Sequence, residues 1–220
     1  MTLTLDASQD YLLWDNTESV TYRTKLSGAG LFLDKPLTNA LGRAPNWKEQ
    51  QASNGVYTSQ DRVWNIPAKV VTDAALPTLK PGDKIKDAAS AEWTVLQVTL
   101  NTWKTAWRLM CRNLNLAYGL RDTVTIQRAA VTRDASGSHV TTWHDYLADI
   151  PARVQPTQYA PMDMLGVTGV KGDYLVVVDR EVELTATTRV RFGTKYLEVN
   201  SVRNPQRIDE LPILDCQSTP

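Results

Sequence analysis

The feature that most constrains this chain is an internal repeat. Glu18-Ser19-Val20-Thr21-Tyr22 is matched by Asp122-Thr123-Val124-Thr125-Ile126, and Val95-x-x-Val98 by Val199-x-x-Val202. Leu109-x-Cys111 is likewise matched by Leu214-x-Cys216, and all three pairs are offset by roughly 104 residues. A fourth pair, Ile66-Pro-Ala-Lys-Val70 and Ile150-Pro-Ala-Arg-Val154, stands in the same order at a shorter offset. That shorter offset predicts about 20 extra residues in the first half. They fall in Lys25–Gln60, whose Gly, Asn, Pro and Ser content reads as a long loop or arm. The repeat predicts an N-terminal domain over 1–115, carrying that arm at about 25–60, and a C-terminal domain over 120–220. The join, Asn113 to Leu120, is short.

Inside each half the hydrophobic period is two, not 3.6. Thr123 to Thr132 alternates and is rich in β-branched residues, Asp134-Ala-Ser-Gly137 is a turn signal, and His139 to Trp143 returns. Ala148 to Gln155 reads as a third strand, with Pro151 calling for an edge or a bulge. Tyr174 to Leu184 is strongly β-forming. The hairpin Thr188 to Val202 turns at Gly193-Thr194, and Gly in the first turn position suits a type II′ turn. That register sets Val190 against Leu197, Arg191 against Tyr196, and Arg189 against Glu198 as an opposite-charge pair. Only short helices are expected, at Pro161 to Leu165 and, in the matching slot of the first half, at Asp73 to Leu79. The predicted fold is all-β. It consists of two tandem small antiparallel β-barrel or sandwich domains, each with a short helical or loop insertion.

Composition narrows the function. Lys and Arg total 24 and Asp and Glu total 24. That balance lacks the basic excess of a protein that grips nucleic acid or an anionic membrane. No apolar run approaches the roughly 20 residues of a membrane span. Met1 to Asp10 has neither the basic nor the apolar region of a signal peptide. The two cysteines, Cys111 and Cys216, do not make a secreted disulfide scaffold, so folding in a reducing cytoplasm is expected.

The candidates for chemistry are few. His139 and His144 lie five apart on one predicted strand arm and so face opposite sides, and a zinc site there needs two further ligands. Cys111 and Cys216 occupy equivalent strand positions in separate domains, which reads as two small buried hydrophobes, not a disulfide or a nucleophile. Gly166-x-x-Gly169-x-x-Gly172 precedes a strand where a phosphate cradle needs a strand-to-helix turn, so it reads as a loop. Seven tryptophans, at 14, 47, 64, 93, 103, 107 and 143, fit an aromatic platform for sugar or single-stranded nucleic acid, but core packing and subunit interfaces account for them more economically. Arg189, Arg191, Lys195, Arg203 and Arg207 gather near the last hairpin, diluted by Glu198, Asp209 and Glu210. No catalytic, cofactor-binding or metal-binding residue is assigned, and no enzyme activity is expected.

The second half resembles the bacteriophage head–tail joining (head-closure, stopper or adaptor) family. The features that carry this run in order. They begin with Val124-Thr-Ile126-Gln-Arg128, the turn Asp134 to Gly137, Trp143, and Ile150-Pro-Ala-Arg-Val154-Gln. After Gly166 come Tyr174-Leu-Val-Val-Val178-Asp, Leu184 to Arg191, Gly193 to Val202, Asn204-Pro, and the closing strand Leu211 to Cys216. The first half joins this pattern only through its likeness to the second, with the β-domain doubled where the family carries one.

The resemblance implies a structural virion protein of the neck, assembled in the host cytoplasm. Such a protein forms a homo-oligomeric ring of about 12 chains, or 6 if each chain supplies two domains. The portal or a portal adaptor lies on one side and a tail terminator or other tail protein on the other. Double-stranded DNA passes through the lumen without sequence recognition, and no membrane is involved. Lys25–Gln60 and Tyr159–Gly172 are the segments expected to contact neighbours. A tail terminator or tail-side adaptor is the rival within the virion. A carbohydrate-binding β-module, favoured by the tryptophans, is the rival from another class.

Overall fold

Alternation from Glu18 to Lys25 puts Val20, Tyr22 and Thr24 on one buried face, and this strand, β1, opens the first of two sheets. The structure is a computed structural model that describes residues 7–25, 32–157, 174–183 and 187–218. The chain divides into two units, residues 1–117 and 118–220.

In the first unit β1 is followed by β2 (Phe32–Arg43), β3 (Arg62–Pro67), β4 (Lys84–Lys86), β5 (Glu92–Leu100) and β6 (Ala106–Arg112). They are ordered β1-β2-β3-β6-β5-β4, and β4 returns to pair with β1, so the sheet closes into a barrel. Closure leaves no strand edge for misplaced pairing. Among the described residues this unit also has a 3-10 helix at Ala7–Leu13 and three short α-helices: α1 (Trp47–Ala52), α2 (Ala68–Asp73) and α3 (Leu114–Ala117). Tyr22, Leu37, Trp64, Ile66, Ile85, Val95, Leu109 and Cys111 fill the interior.

The second unit runs β7 (Asp122–Arg133), β8 (His139–Pro156), β9 (Tyr174–Val178), β10 (Thr188–Phe192), β11 (Lys195–Arg203) and β12 (Ile213–Ser218). Its circular order is β7-β8-β9-β12-β11-β10, the order of the first barrel strand for strand. Its core is built from Val124, Ile126, Ile150, Val176, Val178, Val190, Leu197, Leu214 and Cys216.

The likeness extends to register. Tyr22 lies across from Ile85, and Ile126 from Val190. Lys84 lies across from Thr94, and Arg189 from Glu198. The β5–β6 pairing shifts register between Val95 and Gln97, and the β11–β12 pairing shifts between Val199 and Ser201. The hairpin register read from the sequence is the one observed, with Gly193 at φ 57 and Thr194 outside the positive-φ region, as a type II′ turn requires.

Four expectations are corrected. The two Ile-Pro-Ala segments are not equivalent: Ile66 and Pro67 end β3 and Ala68 starts α2, whereas Ile150 to Val154 lies inside β8. The true counterpart of Ala152 is Ala40, since Glu18 pairs with Ala40 as Asp122 pairs with Ala152. Second, Lys25–Gln60 is not one loop, because β2 crosses it despite Pro36, Asn39 and Gly42. Asn39 sits at φ 55, where the β1–β2 register slips, so the poor strand formers are absorbed by a bulge. Third, Ala148 to Gln155 is no separate strand but the continuation of His139 to Trp143 in one 18-residue strand, bulged at Asp149. Pro151 is accommodated beside that irregularity and not at a sheet edge. Fourth, the helix of the first unit forms at Ala68–Asp73, ahead of the predicted Asp73 to Leu79, because Pro67 supplies its N-cap position. The predicted helix at Pro161 to Leu165 lies outside the described residues.

Candidate assembly surface

Among the described residues, no group of three or more His, Cys, Asp or Glu side chains is placed to hold a metal. Cys111 and Cys216 are free, buried thiols at matching places in β6 and β12. Burial pushes the Cys111 thiol well above its ordinary range, and burial with Asp215 nearby pushes Cys216 up to about 12. Neither is a thiolate at neutral pH, and the thiolate is the nucleophile. His139 and His144 are exposed and point to opposite faces of β8, opposite Arg133 and Arg128. The glycines at 166, 169 and 172, and the segment Tyr159–Gly172, lie outside the described residues.

The outer wall of the second barrel is organised around Arg189. Its guanidinium lies over the rings of Trp143 (3.9 Å to the centroid) and Tyr196 (4.1 Å). Its Nε donates to Gln127 Oε1 at 2.8 Å. The Gln127 amide in turn donates to Asp145 at 2.6 Å, and Asp145 sits 3.6 Å from Arg191. Planar stacking plus a directed hydrogen bond is something Arg can do and Lys cannot. Arg203 is paired with Asp215 at 3.0 Å and Arg207 with Asp209 at 3.0 Å, while Lys195 lies 5.8 Å from the Tyr174 ring centroid. Three of the five basic residues expected to form a diluted basic patch, Arg191, Arg203 and Arg207, are thus paired with carboxylates.

From this wall a ribbon projects. Among the described residues the β10–β7 ladder reaches Arg128, with one further bond from Ala129 N–H to Thr187 O, whereas β7 and β8 stay paired to Arg133 and His139. In the first barrel the corresponding hairpin is paired as far as Lys25 and Phe32 among the described residues. The ribbon ends in a tight turn where Asp134 Oδ1 accepts from Ser136 N, Ser136 Oγ and Ser138 N at 2.7–2.9 Å, and Gly137 takes φ 84. The Ser136 hydroxyl, then the backbone N–H groups, hold that carboxyl below the usual range. Val131 and Val140 are exposed on it.

The first barrel carries a second exposed feature, the 44–61 segment between β2 and β3. Asn46 caps α1 in a reciprocal capping box with Glu49. The Glu49 carboxylate also receives Arg43 at 2.6 and 2.8 Å and bonds Arg108, so hydrogen bonding from Arg43 holds it down at about 2. Farther along, Arg112 forks onto the buried Asp61 with two bonds of 2.8 Å, and Tyr57 reaches Gln97 at 2.7 Å. This rigid strap covers a cleft of about 610 Å³ and presents Trp47, 67% exposed, outward.

The tryptophans divide accordingly. Trp64 is fully buried, while Trp93 and Trp143 are half-covered beneath Arg62 and Arg189. Trp47 and Trp103 stand exposed on separate protrusions of the first barrel and do not form a continuous platform with the others. Sequence reasoning placed an arm at about 25–60 and a hairpin from Thr123 to Trp143, but not the strap's ion-paired form or the ribbon's overhang. The Asn46-x-x-Glu49 spacing signalled the strap, whereas nothing local signalled that the β7–β8 ribbon would outrun its barrel.

Each unit is a closed barrel with its thiol sealed in the core, and a strap and a ribbon stand on their surfaces. Residues 116–219, which hold the second barrel, match the family model of the phage head completion protein, so this half of the chain is similar to a phage head–tail joining family. A search of curated proteins returned no match. That similarity supports a structural role related to the phage head. Among the described residues no helix is long and apolar enough to cross a membrane.

Proposed function

We propose that this protein forms a ring at the phage neck that closes the DNA-filled head beneath the portal and gives the tail its platform. The observation that supports this most is the second barrel itself: a domain similar to the head completion family, with Arg191, Arg203 and Arg207 paired to carboxylates and a projecting β7–β8 ribbon. Arginines committed to Asp145, Asp209 and Asp215 leave little to hold phosphates by counterion release, which suits a conduit through which DNA slides. The matching strand order and matching bulges of the two barrels support an origin by duplication, so six chains would present twelve barrels. The strap at 44–61 is the contact of the first barrel with a ring neighbour or the portal-side partner.

Labelling the chain in intact phage and locating it by electron microscopy tests the reading. Density between portal and tail supports it. Density at the tail-distal end, or confined to the tail tube, contradicts it. A tail-side adaptor remains the second reading, and the same image separates the two by which side of the head-closing layer carries the label.

A further inference from the structure

The overhanging part of β8, His139 to Asp145, has only β7 beside it among the described residues, since β9 joins β8 no earlier than Ala152. Among the described residues its outer edge thus offers a row of backbone N–H and C=O groups. Proteins blunt such edges with Lys, Pro or a bulge, yet residues 128–149 contain neither Lys nor Pro, and β8 stays regular from His139 to Asp145. Two-stranded ribbons are marginally stable alone in water. The segment asks for another strand.

Its sequence says which strand. Laid antiparallel against an identical copy and centred on Thr142, His139-Val-Thr-Thr-Trp-His-Asp145 pairs His139 with Asp145, Val140 with His144, Thr141 with Trp143 and Thr142 with itself. The two ends bring an imidazole against a carboxylate, and the middle brings a β-branched residue against an aromatic ring, both favourable cross-strand pairs. Trp143 and Asp145 are already held in place from behind, by Arg189 and Gln127, so little side-chain freedom is left to lose. We propose that the free protein is a two-fold dimer joined β8 to β8 through this edge, its four-stranded sheet covering the edge until the chain meets the phage head. A two-fold contact is self-complementary and does not propagate around a ring, so the dimer precedes the ring and stands or falls apart from it.

The test is a cysteine at the symmetry point of the full chain. Thr142→Cys places two thiols at directly opposite positions, where Cβ atoms lie about 4.5–5.5 Å apart. Diamide takes up the two electrons and two protons as the Sγ–Sγ bond forms. Thr132→Cys on β7 is the control, because its copy would lie three strand spacings away, about 14 Å. Cys111 and Cys216 are buried and stay silent. The expected result is a covalent dimer from Thr142→Cys, little from Thr132→Cys, and at least a tenfold weaker dimer for Thr142→Lys in sedimentation. Equal crosslinking at both positions, or wild-type protein that sediments as a monomer at every concentration, overturns the proposal without touching the neck assignment, which is read from the phage particle.

Discussion

Val199 lies directly across from Cys216 where β11 meets β12, and the register slips by one residue immediately after it. In the first barrel Val95 faces Cys111 and the slip follows at the same place. A bulge fixes how a strand turns its side chains after it, so this shared irregularity makes the two closing hairpins alike in detail. It also seals both thiols in the cores.

Cys111 and Cys216 should therefore resist thiol reagents in the native protein. The expected outcome with an aromatic disulfide reagent at pH 8 is almost no release, rising to two equivalents in denaturant. Rapid reaction of either thiol without denaturant would show that its barrel opens readily.

Gly42 sits where a Cβ would come 2.6 Å from Arg62 Nε and 2.8 Å from the ring of Trp64. Trp64 is fully buried and cannot retreat, and Arg62 is tied to Glu18 at 2.8 Å. Gly42→Ala should cost about 1–3 kcal/mol by overpacking, measured by chemical denaturation.

Arg189 holds Trp143 and Tyr196 together while bonding Gln127. Arg189→Lys keeps the charge but loses the planar stack and the directed bond. We expect both Arg189→Lys and Arg189→Ala to destabilise the second barrel, by about 1–2 kcal/mol for Ala and less for Lys, with a red shift in tryptophan fluorescence as the Trp143 ring is uncovered.

Much of this was legible beforehand. The β10–β11 register, with Arg189 facing Glu198 and Val190 facing Leu197, followed from a Gly at the turn and a two-residue period. Three repeat anchors fell on equivalent strands because they encode strand positions. The Ile-Pro-Ala pair did not, because a five-residue match says nothing about which distant strand each copy meets: Ile66 faces Trp107, while Ile150 faces Val124. β2 was hidden for a related reason. Pro36, Asn39 and Gly42 read locally as loop, and only barrel closure holds them in a strand. The ribbon was visible as a hairpin, but its overhang depends on where β10 stops, a long-range fact.

Glu49 offers a pH test. Its folded value, about 2, lies below its ordinary value, held there by Arg43. A depressed carboxylate contributes stability above its unfolded pKa and loses it as pH falls through the folded one. The strap should therefore weaken between about pH 4.5 and pH 2, by about 1–2 kcal/mol once screening by its half-exposed arginine partners is allowed for. In Glu49→Gln that pH dependence should be largely gone, read by hydrogen exchange in residues 44–61.

The central claim is that this chain works by assembling on the phage head, and native mass with and without purified portal tests it most directly. The account predicts a small species alone and a portal-bound ring of six or twelve copies when the two are mixed. A chain that keeps the same mass and leaves the portal bare would contradict it.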